Sequence, residues 1–400
     1  MALDFRQVRQ QIIELGEKAP IRARRLQELR EQAAELLGSH ADDLESLLQK
    51  VQLIARNYDP NLRCALPARS PGGNLDALDN HYPLPALPSR ATILAADGSQ
   101  IAPDRHAPVD YCLINVGAIQ MEQGLPEPPR PTVSSTLFYD EQLYTESGLI
   151  TEARLALMRD LHERRQLAKL AGQAVPPVIT FTDGPMELWG AKEGSGETGF
   201  QQSLEEYLMV LAELCESKVT TAGYVDKPAA NLVVRLLEIA SLSPEELPKV
   251  RELHPLRGVL DRYLYQRLLA PGERSSIFAI QSRSAQQYRG ELALHFFYLN
   301  VGRPGHPWLA RVEVPAWVAE DRDMLENLHS TLVRQCQTMG SRPYPYLLHR
   351  AHETAVVSLE EKEQVTELIA HELRRRGVEV GEASYKQSAK DLGGRTRYER

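Results

Sequence analysis

The sequence predicts a mixed α/β fold, a pleated sheet flanked by helices and preceded by a helical arm. Three observations predict it. Three strand-like runs (ATILAADGSQ, YCLINVGAIQM, TVSSTLFYD) follow one another with short connections, so they pair antiparallel. Helical and strand-like segments then alternate, which makes the later strands parallel. The chain has 400 residues, 42% of them hydrophobic, enough to bury a large core and to form two or three compact units.

Each element has its own signal. Residues 1–57 form a helical hairpin or arm, with apolar residues at spacings of three and four: Phe5, Val8, Ile12 and Leu15, then Leu26, Leu29, Ala33 and Leu36, then Leu44, Leu48, Val51 and Ile54. Ser39 or Asp42 caps the second helix. Residues 58–90 are a linker rich in proline and glycine without periodicity. Residues 91–376 carry the three strands and then ITEARLALMRDLHERRQLAKLAGQ as a long helix. VPPVITFTDGP follows as a buried strand, FQQSLEEYLMVLAELCESK as a helix and VTTAGYVDKP as a strand. Helices run to about residue 270. Then come SSIFAIQS, LALHFFYLNV and LARVEVPAWV as strands, a helix over 321–339, the Pro/Tyr-rich run RPYPYLLHRAHE and a last helix over 359–376. Residues 377–400 are a polar, basic tail. The order strand-strand-strand, helix, strand, helix, strand, helix outlines the ribonuclease-H-like fold.

Composition narrows the function classes. No apolar run reaches the ~18–20 residues of a membrane helix, and MALDFRQVRQQIIELGEK is too charged for a secretory signal. Cys64, Cys112, Cys215 and Cys336 lie far apart with no CxxC, which fits a reducing cytoplasm rather than a disulfide framework or a thiolate zinc site. The net charge is −8, yet Arg374–Arg400 holds eight Lys/Arg against four Asp/Glu, so a basic region remains for nucleic acid. There is no GxxxxGK[ST], no GxGxxG after a strand, no GxSxG and no HExxH. GAKEGSGETG lacks the lysine-serine ending of a phosphate loop and reads as a flexible loop.

Two carboxylates stand out by context. Asp97 ends ILAAD before Gly-Ser, and Asp183 ends VITFTD before Gly-Pro. Each closes a buried strand ahead of a glycine, where open α/β sheets bind ligands. An Asp-Gly pair can also make a simple turn. Two carboxylates at matching strand ends could share one divalent cation, and oxygen ligands suit Mg²⁺ or Mn²⁺. A third carboxylate would come from the helix before Asp183: Glu152, Asp160 or Glu163. Retracing the ~20 Å of the Pro177–Asp183 strand along a helix ending near Gly172 covers about 13 residues. That lands near residue 159, which favours Asp160 and Glu163. Tyr344, Tyr346, His349 and His352 crowd RPYPYLLHRAHE, with Pro343 and Pro345 expected to hold the tyrosines extended. Such side chains stack on bases, bind metal or move protons. Lys227, just after a strand, could contact a phosphate.

The DGSQ at Asp97, the second DG at Asp183, AGYVDK at Lys227 and RPYPYLLHRAHE, in that order, resemble the NurA nuclease family over about residues 90–370. The resemblance implies a ribonuclease-H-like core and a homodimer. It implies a Mn²⁺-dependent nuclease that degrades single-stranded DNA, resects duplex ends from the 5′ side and works with a HerA-type hexameric ATPase in double-strand-break repair. It places the site at Asp97, Asp183, Tyr344 and His352, with the helix carboxylate at Glu163 and Glu152 competing. Metal ligands would be Asp97, Glu163, Asp183 and His352. A proline follows the second DG where the family pattern has Ser or Thr. Two other readings stand beside it: a non-catalytic DNA- or motor-binding subunit on the same fold, and a hydrolase of this fold acting on RNA.

Overall fold

The structure, a computed structural model, describes residues 4–104, 107–145, 148–188 and 196–380. The glycine-rich run at 190–195 and the tail from 381 lie outside them. In chain order the elements are α1 (Phe5–Ser39), α2 (Leu44–Asn57), β1 (Cys64–Pro67), β2 (His81–Tyr82), β3 (Ala91–Ile101), β4 (Cys112–Gln123) and β5 (Arg130–Phe138). Next come β6 (Tyr144–Thr145), β7 (Gly148–Leu149), α3 (Glu152–Ala171), β8 (Val178–Asp183), α4 (Gly196–Glu216), β9 (Thr220–Asp226), α5 (Leu232–Ser241) and α6 (Asp261–Leu268). The rest are β10 (Arg274–Ser275), β11 (Phe278–Gln281), β12 (Leu294–Asn300), β13 (Leu309–Pro315), α7 (Ala316–Ala319), α8 (Arg322–Thr338), α9 (Tyr346–Ala355) and α10 (Leu359–Arg375). These form two compact units, one of residues 88–183, 187–222 and 344–400, the other of residues 1–87, 184–186 and 223–343.

In the first unit the strand order is β5-β4-β3-β8, followed by the opening residues of β9. β3, β4 and β5 pair antiparallel, and β8 runs parallel to β3 in the register Thr92↔Val178 through Ala96↔Thr182. That is the ribonuclease-H-like arrangement. The central strands are buried on both sides (Ile93, Leu94, Ala95 and Ala96 on β3; Ile179 and Phe181 on β8), so helices cover both faces. Two glycines show which helix covers which. A Cβ on Gly98 would meet Arg159 Cγ at 2.6 Å and Glu163 Oε1 at 2.7 Å, so α3 lies on that face. A Cβ on Gly117 would meet Ala351 O and Ala355 N, each at 2.6 Å, so α9 lies on the face of Gly117. Gly117 pairs with Asp97, one residue from Gly98, so the two helices lie on opposite faces.

The structure corrects three expectations. Asp97 does not close its strand: β3 continues to Ile101, paired with β4 throughout, and only the pairing with β8 stops at Ala96. Gly98 therefore serves close packing rather than a turn. RPYPYLLHRAHE is not an extended run, because α9 starts at Tyr346 with Pro345 as its N-cap. The linker holds two short strands, β1 pairing β11 and β2 pairing β10.

The second unit has the strand order β1-β11-β12-β13, all antiparallel, with the end of β9 antiparallel to β13. Its core stacks Tyr265 on Tyr298 (4.7 Å between ring centres) and Phe278 on Phe296. Asp261, fully buried, accepts from the backbone N–H of Val233 and Val234 at the start of α5 and from the Tyr298 hydroxyl at 2.7 Å. Buried Arg235 bonds Glu238 at 2.7 Å and the carbonyl of Leu253 at 2.8 Å, pinning the loop after α5. No helix among the described residues is long and apolar enough to cross a membrane.

Candidate active site

The site residues lie in the first unit and are placed by strand register. Ala96 pairs with Thr182 in the parallel β3–β8 ladder, so Asp97 and Asp183 are the next residues on neighbouring strands and share one face. Asp183 is the last residue of β8 and is exposed; Gly184 follows at φ +92°, a conformation that glycine adopts without a Cβ clash. Asp97 is mostly buried. Its Oδ1 accepts from the N–H of Gly98 at 2.8 Å, and its Oδ2 lies 2.7 Å from His352 Nδ1. That partner comes from α9, on the face that Asp97 shares with Gly117. The imidazole is otherwise open, with 63% of the side chain accessible. Ser99 Oγ and Asn115 Nδ2 both donate to the carbonyl of Ala355 and so fix the end of α9 on β3 and β4. Tyr344 is half-buried in the segment leading into α9.

Glu163 reaches the site from α3 on the opposite face, through the gap left by Gly98. It is 5% exposed. Burial first, then the charges of Asp160 and Asp97, push its carboxyl well above the usual range, while Arg159 and Arg164 pull the other way. Burial also raises Asp160, with Arg159 opposing. Arg159 answers this acid cluster: its Nη2 is 3.0 Å from Asp160 and its Nε 3.4 Å from Glu163. Its own burial favours losing the proton, but Asp160, Glu163 and Asp97 together hold it above its ordinary value. Arg164, fully buried, donates to Thr182 and Thr221, each at 2.8 Å, and locks α3 to β8 and β9. Glu152, at the exposed start of α3, instead lines a separate cleft with Ser99, Asp104 and Lys362.

The structure thus brings Asp97 and His352 into contact, sets Asp183 beside Asp97, and places Glu163 and Asp160 within electrostatic reach of Asp97. Sequence reasoning did not single out Arg159 and Arg164, or the packing role of the two glycines that admit the helices. The donors are carboxylate oxygens and an imidazole, and a buried carboxylate cluster countered mainly by arginines is the setting that a hard divalent cation relieves. By that chemistry the donors fit such an ion. Among the described residues, however, no three His, Cys, Asp or Glu side chains converge as a ready-made cage.

A family model of the NurA domain matches residues 91–357. The chain belongs to the NurA family. Membership makes it a nuclease, and the match spans Asp97, Glu163, Asp183, Tyr344 and His352. Among solved structures, this NurA-family chain is similar to a NurA crystal structure with manganese (9% identity over 73% of this chain and 91% of that one, TM-score 0.38). It is also similar to Ciona intestinalis Endonuclease V in complex with DNA (9%, 76% and 92%, TM-score 0.32) and to the catalytic domain of human Endonuclease V (14%, 82% and 98%, TM-score 0.29). No curated protein matches.

Proposed function

We propose that the chain is a metal-dependent deoxyribonuclease, using Mn²⁺ or Mg²⁺, that hydrolyses single-stranded DNA and resects DNA ends in double-strand-break repair. The observation that carries this reading is the Asp97–His352 contact, made across 255 residues of chain beside the in-register Asp183 and the buried Glu163. Asp97, Glu163, Asp183 and His352 would hold the ion. When bound, a divalent cation lowers the pKa of a water and neutralises charge developing on the phosphoryl oxygens.

The chain's own groups do the rest. Asp97 fixes the His352 ring through Nδ1, which leaves Nε2 either to complete the shell of the ion or, where it does not, to orient the attacking water or take its proton. Glu163, driven by burial toward its protonated form, would have to lose that proton to solvent for its carboxylate to hold the ion. Tyr344 positions the scissile phosphate. Arg164 keeps α3, and with it Glu163, at the level of Gly98. A cytoplasmic homodimer working with a HerA-type hexameric ATPase is the assembly we propose; the exposed Phe5, Ile12 and Leu15 of α1 offer apolar surface for it.

The test is cleavage of end-labelled single-stranded and duplex DNA, and of matched RNA, with Mn²⁺, Mg²⁺ or a chelator. Metal-dependent loss of single-stranded DNA supports the proposal. DNA binding without cleavage favours the non-catalytic subunit, and preferential RNA cleavage favours the RNA hydrolase.

A further inference from the structure

The second unit contains a cleft of about 510 Å³ that the nuclease chemistry does not use. Trp308, Arg303, His306, Gln266, Gln337 and Ser341 are among the residues that line it. We infer that this cleft is a stacking subsite for one nucleotide of a single-stranded DNA, with Trp308 as the platform and Arg303 and His306 as the backbone contacts.

The indole is held from several sides. Its Nε1–H donates to Asp226 Oδ1 at 2.6 Å, and the Lys227 ammonium sits 3.9 Å from the ring centre. Lys227 does this from φ +43°, in the left-handed region that non-glycine residues seldom occupy, so the end of β9 delivers both partners to one ring. The loop carrying Trp308 is equally fixed. The carboxamide of buried Asn300 accepts from the N–H of Gly302 at 3.0 Å and of Trp308 at 3.1 Å, while donating to Leu269 O at 2.9 Å. Gly302 packs so closely that a Cβ there would lie 2.4 Å from His306 O and 2.5 Å from Trp308 N.

A flat aromatic side chain held in one orientation loses little entropy when a base stacks on it. The lining also carries Arg303 and His306 and, among the described residues, no carboxylate, which favours an anionic ligand. Gln266 and Gln337 supply donors and acceptors for a base edge. Stacking on this half-buried ring needs an unpaired base, so a single strand fits and a duplex does not.

The inference rests on the nuclease reading, and one experiment separates the two. Binding of fluorescein-labelled oligo(dT) to the full-length protein is followed by anisotropy in chelator, where metal-dependent cleavage is absent. The variants are Trp308→Ala, Trp308→Phe and Arg303→Ala, alongside an oligonucleotide of abasic spacers and a blunt duplex. Trp308→Ala should weaken oligo(dT) binding about tenfold. Trp308→Phe should restore most of it, and neither change should alter binding of the abasic strand or the duplex. Arg303→Ala should lower the salt slope by about one. Equal loss on the abasic strand, or unchanged oligo(dT) binding by folded Trp308→Ala, overturns the subsite while leaving the nuclease reading intact. No oligo(dT) binding by the wild-type protein in chelator overturns the subsite, while the nuclease reading falls only if single-stranded DNA is also left uncut with Mn²⁺.

Discussion

Gly117→Ala is the sharpest test of how the candidate site is held together. The new Cβ would sit 2.6 Å from Ala351 O, 2.6 Å from Ala355 N and 2.8 Å from the Thr354 carbonyl carbon, all backbone of α9. No side-chain rotation relieves that clash. Since ordinary contact starts at 3.4 Å, the helix must back away by about 0.8 Å. Gly117 is the direct strand partner of Asp97, so the movement falls on the turn that carries His352. The 2.7 Å contact between His352 and Asp97 opens toward ~3.5 Å, outside hydrogen-bond range. Overpacking of this kind costs about 1–3 kcal/mol of stability, and a catalytic group displaced by ~1 Å loses ~10²-fold in rate. The assay pairs thermal melting with cleavage of labelled single-stranded DNA. Leu325→Val, a buried change in α8 of the second unit, serves as the control for a stability loss of similar size. A Gly117→Ala protein that melts like the wild type and cuts within about twofold of it would refute the argument that α9 is seated through this glycine.

Other expected outcomes follow from the same geometry. Asp97→Ala should keep the fold and lose more than ~10²-fold of the cleavage rate, because even outer-shell changes at metal sites cost 10–100-fold; melting and cleavage assays check both halves. Glu163→Ala should behave likewise while Glu152→Ala stays near wild type, and the reverse ranking would move the helix ligand to Glu152. Arg164→Met removes the guanidinium donor to the Thr182 and Thr221 hydroxyls, of which Thr221 keeps the Thr180 hydroxyl, and should cost ~2–4 kcal/mol in urea unfolding. His329 is buried and bonded through Nε2 to Gly272 O at 2.7 Å, and burial brings it from 6.5 down to about 4. The unfolded chain therefore takes up a proton first as pH falls. Stability from this group is full above pH ~6.5 and declines by ~3 kcal/mol toward pH ~4. Burial raises Asp261 from 3.8 to about 6, which gives the opposite slope: it costs stability as pH rises between those values. His329→Gln should accordingly make stability fall with rising pH between about 4 and 6, measured by urea midpoints; an unchanged profile would refute the assignment.

Much of the sheet could be read from the sequence because its central strands are buried on both faces. VITFTD and ATILAAD are continuous apolar runs whose length and flanks separate them from helices. The parallel pairing of the strand after α3 followed from handed crossover rules. Asp97 was picked out for a strand end it does not occupy: the glycine after it looked like a turn but is a hole filled by Glu163 and Arg159. That role depends on a helix about sixty residues downstream, and no local signal records it. α9 was missed because Pro343 and Pro345 suggest extended chain, yet Pro345 stands just where a helix may begin. β1 and β2 were hidden because two- and four-residue strands draw their stability from partners elsewhere in the chain. Arg164 carried no signal in the sequence because burial of a guanidinium is decided by which hydroxyls the neighbouring strands present.

The bond joining α9 to β3 also sets an order of events during synthesis. A ribosome that has released β3, α3 and β8 has already made three of the acidic groups, but the imidazole that contacts Asp97 is translated 255 residues after it. Until that late helix emerges and settles onto Gly117, Asp97 has no imidazole beside it and the contact between α9 and β3 waits for the last part of the chain.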